Sequence, residues 1–317
     1  HISWPQPNAA PFSITFHLIK KLEKIYKIKL YDWREKGSCH IKKNDLLLFQ
    51  PIPDFELWKK KGVWQIDKSS ISWKTLEKYP ECKSVVILPY NHPANESMWL
   101  KELFEKYTQR VIFICGQHWF DTWEKSPYYK ILSEKPLQVN MGIEQEKYPF
   151  IKKIINPKQK RKFLYIGNTE SWKNTNQLEL IAKNYPNFQG GYISSGLIDG
   201  WKKIADFANL TPEYMQNIVD EYDFFLNTSS GDAQATTILE NSCFGLGIAC
   251  TPESGYNHSS IIPMHVSDIE YNCQKINEMQ EMNEEEYHIR AQENLNYIKK
   301  FHNWEDICSK IIEYINK

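Results

Sequence analysis

The chain has 317 residues, of which 41% are hydrophobic and 14% are aromatic. This composition excludes a disordered protein, because disordered chains lack the apolar surface needed to offset the loss of conformational entropy. No run of about 18 apolar residues occurs, so the sequence predicts no membrane-spanning helix. The formal net charge is zero, which excludes a strongly basic nucleic-acid-binding protein.

The charge is unevenly distributed along the chain. Residues 1–150 carry 23 basic and 17 acidic side chains, whereas residues 151–317 carry 16 basic and 22 acidic ones. One interpretation is that these charges are ordinary solvated helix faces. The other is an N-terminal half that meets an anionic acceptor or a membrane surface through two basic patches. The patches are Lys20, Lys21, Lys24, Lys27 and Lys29, and the run Lys59, Lys60 and Lys61.

The seven cysteines are scattered and are nowhere spaced as a Cys-x2-Cys pair. An odd, dispersed set favours reduced thiols over a disulfide framework or a zinc knuckle. A cytoplasmic location is therefore expected, and the basic N-terminal half leaves peripheral membrane contact open. No signal peptide is expected, because no apolar leader segment is visible.

In the first half, short apolar runs alternate with amphipathic stretches, as in a parallel sheet covered by helices. Strands are predicted at residues 27–31, 45–50, 84–90 and 110–115, and a helix at residues 13–26. The last three strands each run into a loop rich in Pro, Asn, His or Gly. Ligands bind at such carboxyl ends of strands, so Gln117 and His118 are candidate polar contacts.

A proline-punctuated basic segment at residues 145–162 has no apolar period and is predicted to link two domains. The strand and helix cycle then restarts. Strands are predicted at 162–166, 191–194, 223–227 and 247–250, and helices at 174–184, 212–221, 237–244 and 283–317. The predicted fold class is α/β, with two Rossmann-like doubly wound domains at residues 1–148 and 149–317.

One stretch of the second half has the character of a ligand-binding loop. An apolar strand leads into a small-residue loop, and a helix is predicted to begin near Thr236 and to end at Gly245. The N–H groups of such a helix start carry about half a positive charge and suit a phosphate. Asp232 precedes this helix and Glu240 lies inside it, where a carboxylate can accept the two hydroxyls of a ribose. The alternative is a tight packing turn without a ligand.

This stretch resembles the acidic Glu-x7-Glu motif of GT-B glycosyltransferases of the family-four type, with Asp232 and Glu240 in the two acidic positions. Three further segments match motifs of that family in the same order. They are residues 138–144, similar to its PNGVD turn, residues 163–174, similar to its phosphate-binding strand and loop, and residues 302–310, similar to its FSWE helix. The resemblance implies two domains facing a cleft, with the last helix packing back on the N-terminal domain.

The resemblance also implies roles for single residues. Glu240 would hold the ribose of a nucleotide-sugar donor, Asp232 would contact the transferred sugar or its phosphate, and Lys173 would neutralise the departing diphosphate. Asp232 is one methylene shorter than the usual Glu, and Asn168 stands where the family has a second cation. The site would therefore hold less positive charge for the leaving group.

The remaining candidates contact the donor or the acceptor. Gly167, with Asn168, belongs to the phosphate-binding loop, and Thr236 and Thr237 form the helix start beside the diphosphate. His92 follows a predicted strand and would hydrogen-bond a sugar hydroxyl or position the acceptor; an ordinary loop histidine is the alternative. The aromatic residues at 119–129 either stack on a sugar ring or lipid, or belong to the core.

The sequence thus predicts a hexosyltransferase that uses a UDP- or GDP-hexose and a hydroxyl acceptor on a glycan, a lipid-linked sugar or a small molecule. Retention of configuration and independence of metals and cofactors are implied by the resemblance. Two alternatives stay open. One is a non-catalytic nucleotide-sugar or glycan binder that kept the fold, and the other is a GT-B epimerase or phosphorylase.

Overall fold

The structure is a computed structural model that describes residues 1–4, 10–89, 99–107, 110–126, 129–132 and 134–317. The chain divides into two compact units. Unit 1 comprises residues 1–115, 119–141 and 304–317, and unit 2 comprises residues 116–118 and 142–303. Each unit is built around a six-stranded sheet whose described strand pairs are all parallel.

The described residues form twelve strands and eleven α-helices. The sheet of unit 1 contains β1 (Ile2–Trp4), β2 (Leu30–Asp32), β3 (Leu46–Phe49), β4 (Lys83–Leu88), β5 (Arg110–Ile114) and β6 (Leu137–Val139). The sheet of unit 2 contains β7 (Phe163–Ile166), β8 (Gly190–Ile193), β9 (Lys202–Ala205), β10 (Phe224–Asn227), β11 (Gly247–Cys250) and β12 (Ile262–Pro263). The helices are α1 (Ala10–Leu22), α2 (Phe55–Lys61), α3 (Ile71–Lys78), α4 (Lys101–Lys106), α5 (Gln117–Lys125), α6 (Asn176–Asn184), α7 (Pro212–Glu221), α8 (Thr236–Phe244), α9 (Ile269–Glu281), α10 (Glu284–Phe301) and α11 (Trp304–Asn316).

The strand order makes both sheets doubly wound. It is β2-β1-β3-β4-β5-β6 in unit 1 and β12-β11-β10-β7-β8-β9 in unit 2. In unit 2 the chain starts at β7, proceeds to one edge through β9, and returns to β10 on the other side of β7. The switch point between β7 and β10 is where ligands bind in sheets of this kind. The predicted α/β class with two Rossmann-like sheets is confirmed.

The central strands of unit 2 form because they are continuous apolar runs, which suit a sheet covered on both faces. All residues of β10 and β11 are buried. Phe224 stacks on Phe163 with ring centroids 5.9 Å apart and meets the Tyr287 ring edge-on at 5.4 Å. At Gly247 a Cβ would lie 2.5 Å from the Phe224 side chain, so this close approach requires glycine.

Within unit 2, a buried ion pair holds the segment that follows residue 148. Lys152 Nζ lies 3.1 Å from Asp223 Oδ1, and both side chains are fully buried. The Asp223 carboxylate also accepts the backbone N–H groups of Asn156 and Lys162, each at 2.9 Å. Burial lowers the pKa of Lys152, and the charge of Asp223 opposes that shift. This network fixes the start of β7 beside β10.

In unit 1, α11 packs against α1. The rings of His17 and Trp304 stack with centroids 4.6 Å apart, and Lys21 forms an ion pair with Glu305. Within the part of the chain that the structure describes, no helix is long and apolar enough to cross a membrane.

The tail predicted to be helical, residues 283–317, is helical in the structure and consists of two helices, α10 and α11. The break occurs at His302, whose carbonyl accepts the backbone N–H of Ile143 at 2.9 Å. Asn303 forms an isolated parallel bridge with Ile143.

The helix predicted at residues 13–26 ends at Leu22 in the structure. Ile25, in the turns that follow, is 56% exposed and offers no buried face.

Candidate functional site

A pocket of about 420 Å³ opens in unit 2 beside the carboxyl ends of β7, β8 and β9 and the start of α8. Five predicted site residues line it: Gly167, Asn168, Thr236, Thr237 and Glu240. These residues come from the loop that follows β7 and from α8, which follows β10; β7 and β10 lie on either side of the switch point. Parallel strands bring such loops to one edge of the sheet, which is why distant positions converge here.

The loop after β7 is held close to the sheet. A Cβ at Gly167 would lie 2.7 Å from the Tyr165 hydroxyl oxygen, so a larger residue would clash with that side chain. The Tyr165 hydroxyl donates to the carbonyl oxygen of Asn168 at 2.6 Å. The Asn168 side-chain oxygen accepts the backbone N–H of Glu170 at 3.2 Å. This loop therefore offers backbone groups, rather than a charged side chain, to the pocket at residues 167 and 168.

Helix α8 begins and ends where the sequence predicted. Its N-cap is Ala235, and among the described residues no side chain caps its first N–H groups. The first turn contains no acidic side chain. Thr236 and Thr237 line the pocket, so the partial positive charge of the helix start lies at the pocket wall. The helix ends at Gly245, whose φ of 98° is readily adopted only by glycine.

Glu240 lies one turn beyond Thr236 on the same side of α8, and its side chain is partly buried. The Tyr148 hydroxyl donates to Glu240 Oε1 at 3.3 Å. Burial raises the pKa of Glu240, and this hydrogen bond opposes the shift. Burial, followed by the charge of Glu240, raises the pKa of Tyr148, so its hydroxyl remains a donor at neutral pH. The Tyr148 ring meets Phe244 edge-on at 5.5 Å, which fixes its position.

Lys173 and Asp232 form an ion pair. Lys173 Nζ lies 2.8 Å from Asp232 Oδ1 and 2.7 Å from Oδ2, with side-chain exposures of 17% and 15%. The two loops that carry them are joined by the Ser230 N–H, which donates to the Trp172 carbonyl at 2.8 Å. The structure therefore brings these two predicted residues together. In this arrangement the lysine charge is already matched by a carboxylate.

Sequence reasoning missed several residues around the pocket. Ser194 and Ser195 follow β8, and residues 206–210 follow β9. Phe207 in the latter loop is 85% exposed, and its neighbour Asp206 forms an ion pair with Lys203. The signal for Ser194 and Ser195 is the end of the predicted strand at 191–194, and the signal for residues 206–210 is the carboxyl end of β9. That strand was not predicted because its first two residues are lysines.

The charge of the lining is negative. Among the described residues that line the pocket, the charged side chains are Asp206 and Glu240, and none is Lys, Arg or His. A bound anion would therefore depend on N–H groups of the protein backbone and on cations beyond the lining. No group of three His, Cys, Asp or Glu side chains in the described part of the chain could hold a metal ion.

The other predicted contacts lie elsewhere or outside the structure. His92 falls outside the described residues and stays a prediction. Gln117 and His118 begin α5. In the same helix Trp119, Phe120 and Trp123 are all buried, so the interpretation of these aromatic residues as core is the one the structure supports.

Comparison with solved structures identifies the fold. HepE from Anabaena, in complex with UDP, has a TM-score of 0.66 at 10% sequence identity, covering 99% of this chain and 98% of its own. A glycosyltransferase from Rickettsia africae has a TM-score of 0.62 at 13% identity, covering 98% and 82%. The trehalose-6-phosphate protein of E. coli bound with UDP-2-fluoro glucose has a TM-score of 0.61 at 12% identity, covering 87% and 74%.

These likenesses extend over most of the chain and confirm the predicted GT-B fold. No family model matches the sequence, and no curated protein matches it either.

Proposed function

We propose that the chain is a glycosyltransferase that moves a hexose from a nucleotide diphosphate sugar to a hydroxyl group of a glycan, a lipid-linked sugar or a small molecule. One observation carries the proposal. Gly167, Asn168, Thr236, Thr237 and Glu240 converge on one pocket at the switch point of unit 2. The neighbours in complex with UDP and with UDP-2-fluoro glucose share this fold and support the same donor class.

The pocket suits the nucleotide part of such a donor. Its volume of about 420 Å³ lies within the usual range of small-molecule sites. Glu240 accepts the ribose hydroxyls, and the N–H groups at the start of α8 and at Gly167 receive the diphosphate. The base lies against the loop that contains Phe207, whose exposed ring offers a stacking surface.

Transfer breaks the bond between the sugar and the leaving diphosphate, so positive charge near that diphosphate stabilises the transition state. Lys173 supplies this charge, and Asp232 orients it through two hydrogen bonds or contacts the transferred sugar. His92 contacts the sugar or the acceptor. The proposal also includes retention of anomeric configuration, independence of metals, and peripheral membrane contact through the basic N-terminal half. It assigns residues 1–148 to an acceptor domain and residues 149–317 to a donor domain.

A specific observation favours a second candidate, a nucleotide-sugar binder without transferase activity. The charge of Lys173 is matched by Asp232, and Asn168 stands where a second cation is expected. Such a protein would bind the donor in the same pocket and leave its glycosidic bond intact.

A donor screen tests the proposal. Thermal melting is measured with UDP, GDP and their glucose, N-acetylglucosamine and mannose derivatives, and any product is identified by mass spectrometry. One nucleotide is expected to stabilise the fold, by about 2.7 kcal/mol at a concentration of 100 times its Kd. Stabilisation without transfer or hydrolysis would favour the binder, and the absence of both effects would contradict the proposed site.

Replacement of Tyr148 by phenylalanine is expected to weaken nucleotide binding about two- to tenfold, because one hydrogen bond to Glu240 is lost while the ring stays packed. Without this hydrogen bond the pKa of Glu240 rises further. Nucleotide affinity depends on the ionised carboxylate, so it is lost as the pH falls through the pKa of Glu240. In Tyr148→Phe this loss of nucleotide affinity begins at a higher pH. Calorimetric titrations across the acidic range measure the change. Identical pH profiles for the two proteins would contradict the role of Tyr148.

A further inference from the structure

Residues 54–65 form a short excursion from unit 1, which we call the aromatic hairpin. Its two ends are held together at the base. The Asp54 N–H donates to the Gln65 carbonyl at 2.8 Å, and Pro53 and Ile66 form an isolated antiparallel bridge. Between these ends lies α2, which contains no buried residue. The hairpin therefore projects from the unit, and packing of α2 against a core does not explain its folded shape.

Local interactions preform the hairpin. The Asp54 side chain caps α2 by accepting the Leu57 N–H at 2.9 Å. Gly62 ends the helix with a φ of 65°, and its N–H donates to the Trp58 carbonyl at 2.7 Å. This turn brings Trp64 back to Trp58, and their rings stack with centroids 5.1 Å apart. The aromatic surface is thus ordered before any partner binds.

The hairpin combines exposed apolar and basic side chains. Phe55, Trp58, Val63 and Trp64 are 37–44% exposed. Clustered large apolar side chains on a surface mark an interaction site. Lys59, Lys60 and Lys61 are exposed on the same short helix, directly beside this cluster.

We propose that the aromatic hairpin docks the chain on a membrane surface rich in anionic lipid. Tryptophan prefers the headgroup region of a bilayer, and lysines beside it are attracted to lipid phosphates. The three lysines of the hairpin outnumber its two acidic side chains, Asp54 and Glu56, so its charge matches this partner, as does the excess of basic side chains in residues 1–150. A sugar platform is not favoured, because three of the four charged side chains of α2 are lysines, which supply donors but no acceptors for hydroxyl groups.

The inference gives a defined surface to the membrane contact included in the proposed function. It does not depend on a donor or on transfer. Vesicle binding is therefore measured without nucleotide, so a failure here is distinguishable from a failure of the transferase proposal.

The test is flotation of the full 317-residue chain with vesicles of phosphatidylcholine alone, or of phosphatidylcholine and phosphatidylglycerol at roughly three to one. The chain is expected to float with the anionic vesicles and to be released as salt screens the lysines. The double variant Trp58→Ala/Trp64→Ala and the triple variant Lys59→Gln/Lys60→Gln/Lys61→Gln are each expected to lower the partition coefficient at least about tenfold.

Matched controls come from unit 2. Ile154 and Leu197 are 76% and 77% exposed, and the variants Ile154→Ala and Leu197→Ala are expected to bind vesicles as the unchanged chain does. Circular dichroism checks the fold of every variant. The lysine variant leaves the aromatic cluster intact, so it keeps the test valid if the tryptophan variant unfolds.

Three results would overturn the inference. The first is the absence of binding to anionic vesicles by the unchanged chain. The second is undiminished binding by a folded hairpin variant. The third is loss of binding only in Lys20→Gln/Lys24→Gln/Lys27→Gln, which would assign the contact to the other basic patch.

Discussion

Replacement of Glu240 by alanine is expected to weaken nucleotide binding at least about tenfold, because hydrogen bonds from hydroxyls to a carboxylate contribute about 1.5–3 kcal/mol each. The side chain lines the pocket, is partly buried, and is held by the Tyr148 hydroxyl at 3.3 Å. Transfer is expected to fall in parallel, since the donor would be bound without a fixed ribose. Calorimetric titration with the nucleotide found in the donor screen measures the effect.

A deoxynucleotide makes this test specific. The 2′-deoxy form of the same nucleotide should bind the unchanged chain less tightly than the nucleotide itself does. The Glu240→Ala substitution should then weaken binding of the 2′-deoxy form only slightly, because the missing hydroxyl and the missing carboxylate belong to the same contact. Glu213→Ala is the matched control, since Glu213 is an exposed glutamate on α7. Equal nucleotide affinity in Glu240→Ala and in the unchanged chain would remove Glu240 from the site.

Replacement of Lys173 by methionine is expected to slow transfer about a hundredfold or more, as seen when one group that stabilises a developing charge is removed. The substitution also removes the cation that pairs with the Asp232 carboxylate, whose exposure is 15%, so the melting temperature should fall. Initial rates at saturating donor give the change in kcat.

The double variant Lys173→Met/Asp232→Asn separates catalysis from stability. Removing both charges should recover much of the lost thermal stability, while transfer should stay slow because the cation proposed for the diphosphate is removed. Lys203→Met is the control, because Lys203 pairs with Asp206, which lines the pocket at residues 206–210. A double variant that transfers sugar as fast as the unchanged chain would reduce Lys173 to a structural role.

The central strands of unit 2 were predictable because their sequences are continuous and apolar, whereas the three-residue interior strand β1 of unit 1 was missed. β10 and β11 were found within one residue of their bounds, and the β11 bounds matched. The edge strands β9 and β12 were missed for physical reasons. β9 begins with two exposed lysines, and β12 has only two residues, so neither carries an apolar run.

Part of the candidate site was also predictable. Gly167 and Thr236 follow strands that flank a switch point, so the topology alone brings them to one pocket. Tyr148 was missed because it lies in a segment without apolar period, and only tertiary packing carries it to Glu240. The pairing of Lys173 with Asp232, 59 positions apart, could not be read from either motif. The roles of all these residues, and the domain boundaries, stay predictions.

Natural substitutions at the buried Lys152–Asp223 ion pair are expected to affect the position of Tyr148. Tyr148 precedes the anchored segment, and the Lys152 ammonium holds that segment to Asp223 and to the Val219 carbonyl. A substitution at 152 or 223 would release the tyrosine as well as weaken the unit. Under the proposed function, its phenotype would be weaker nucleotide binding, although both side chains are fully buried.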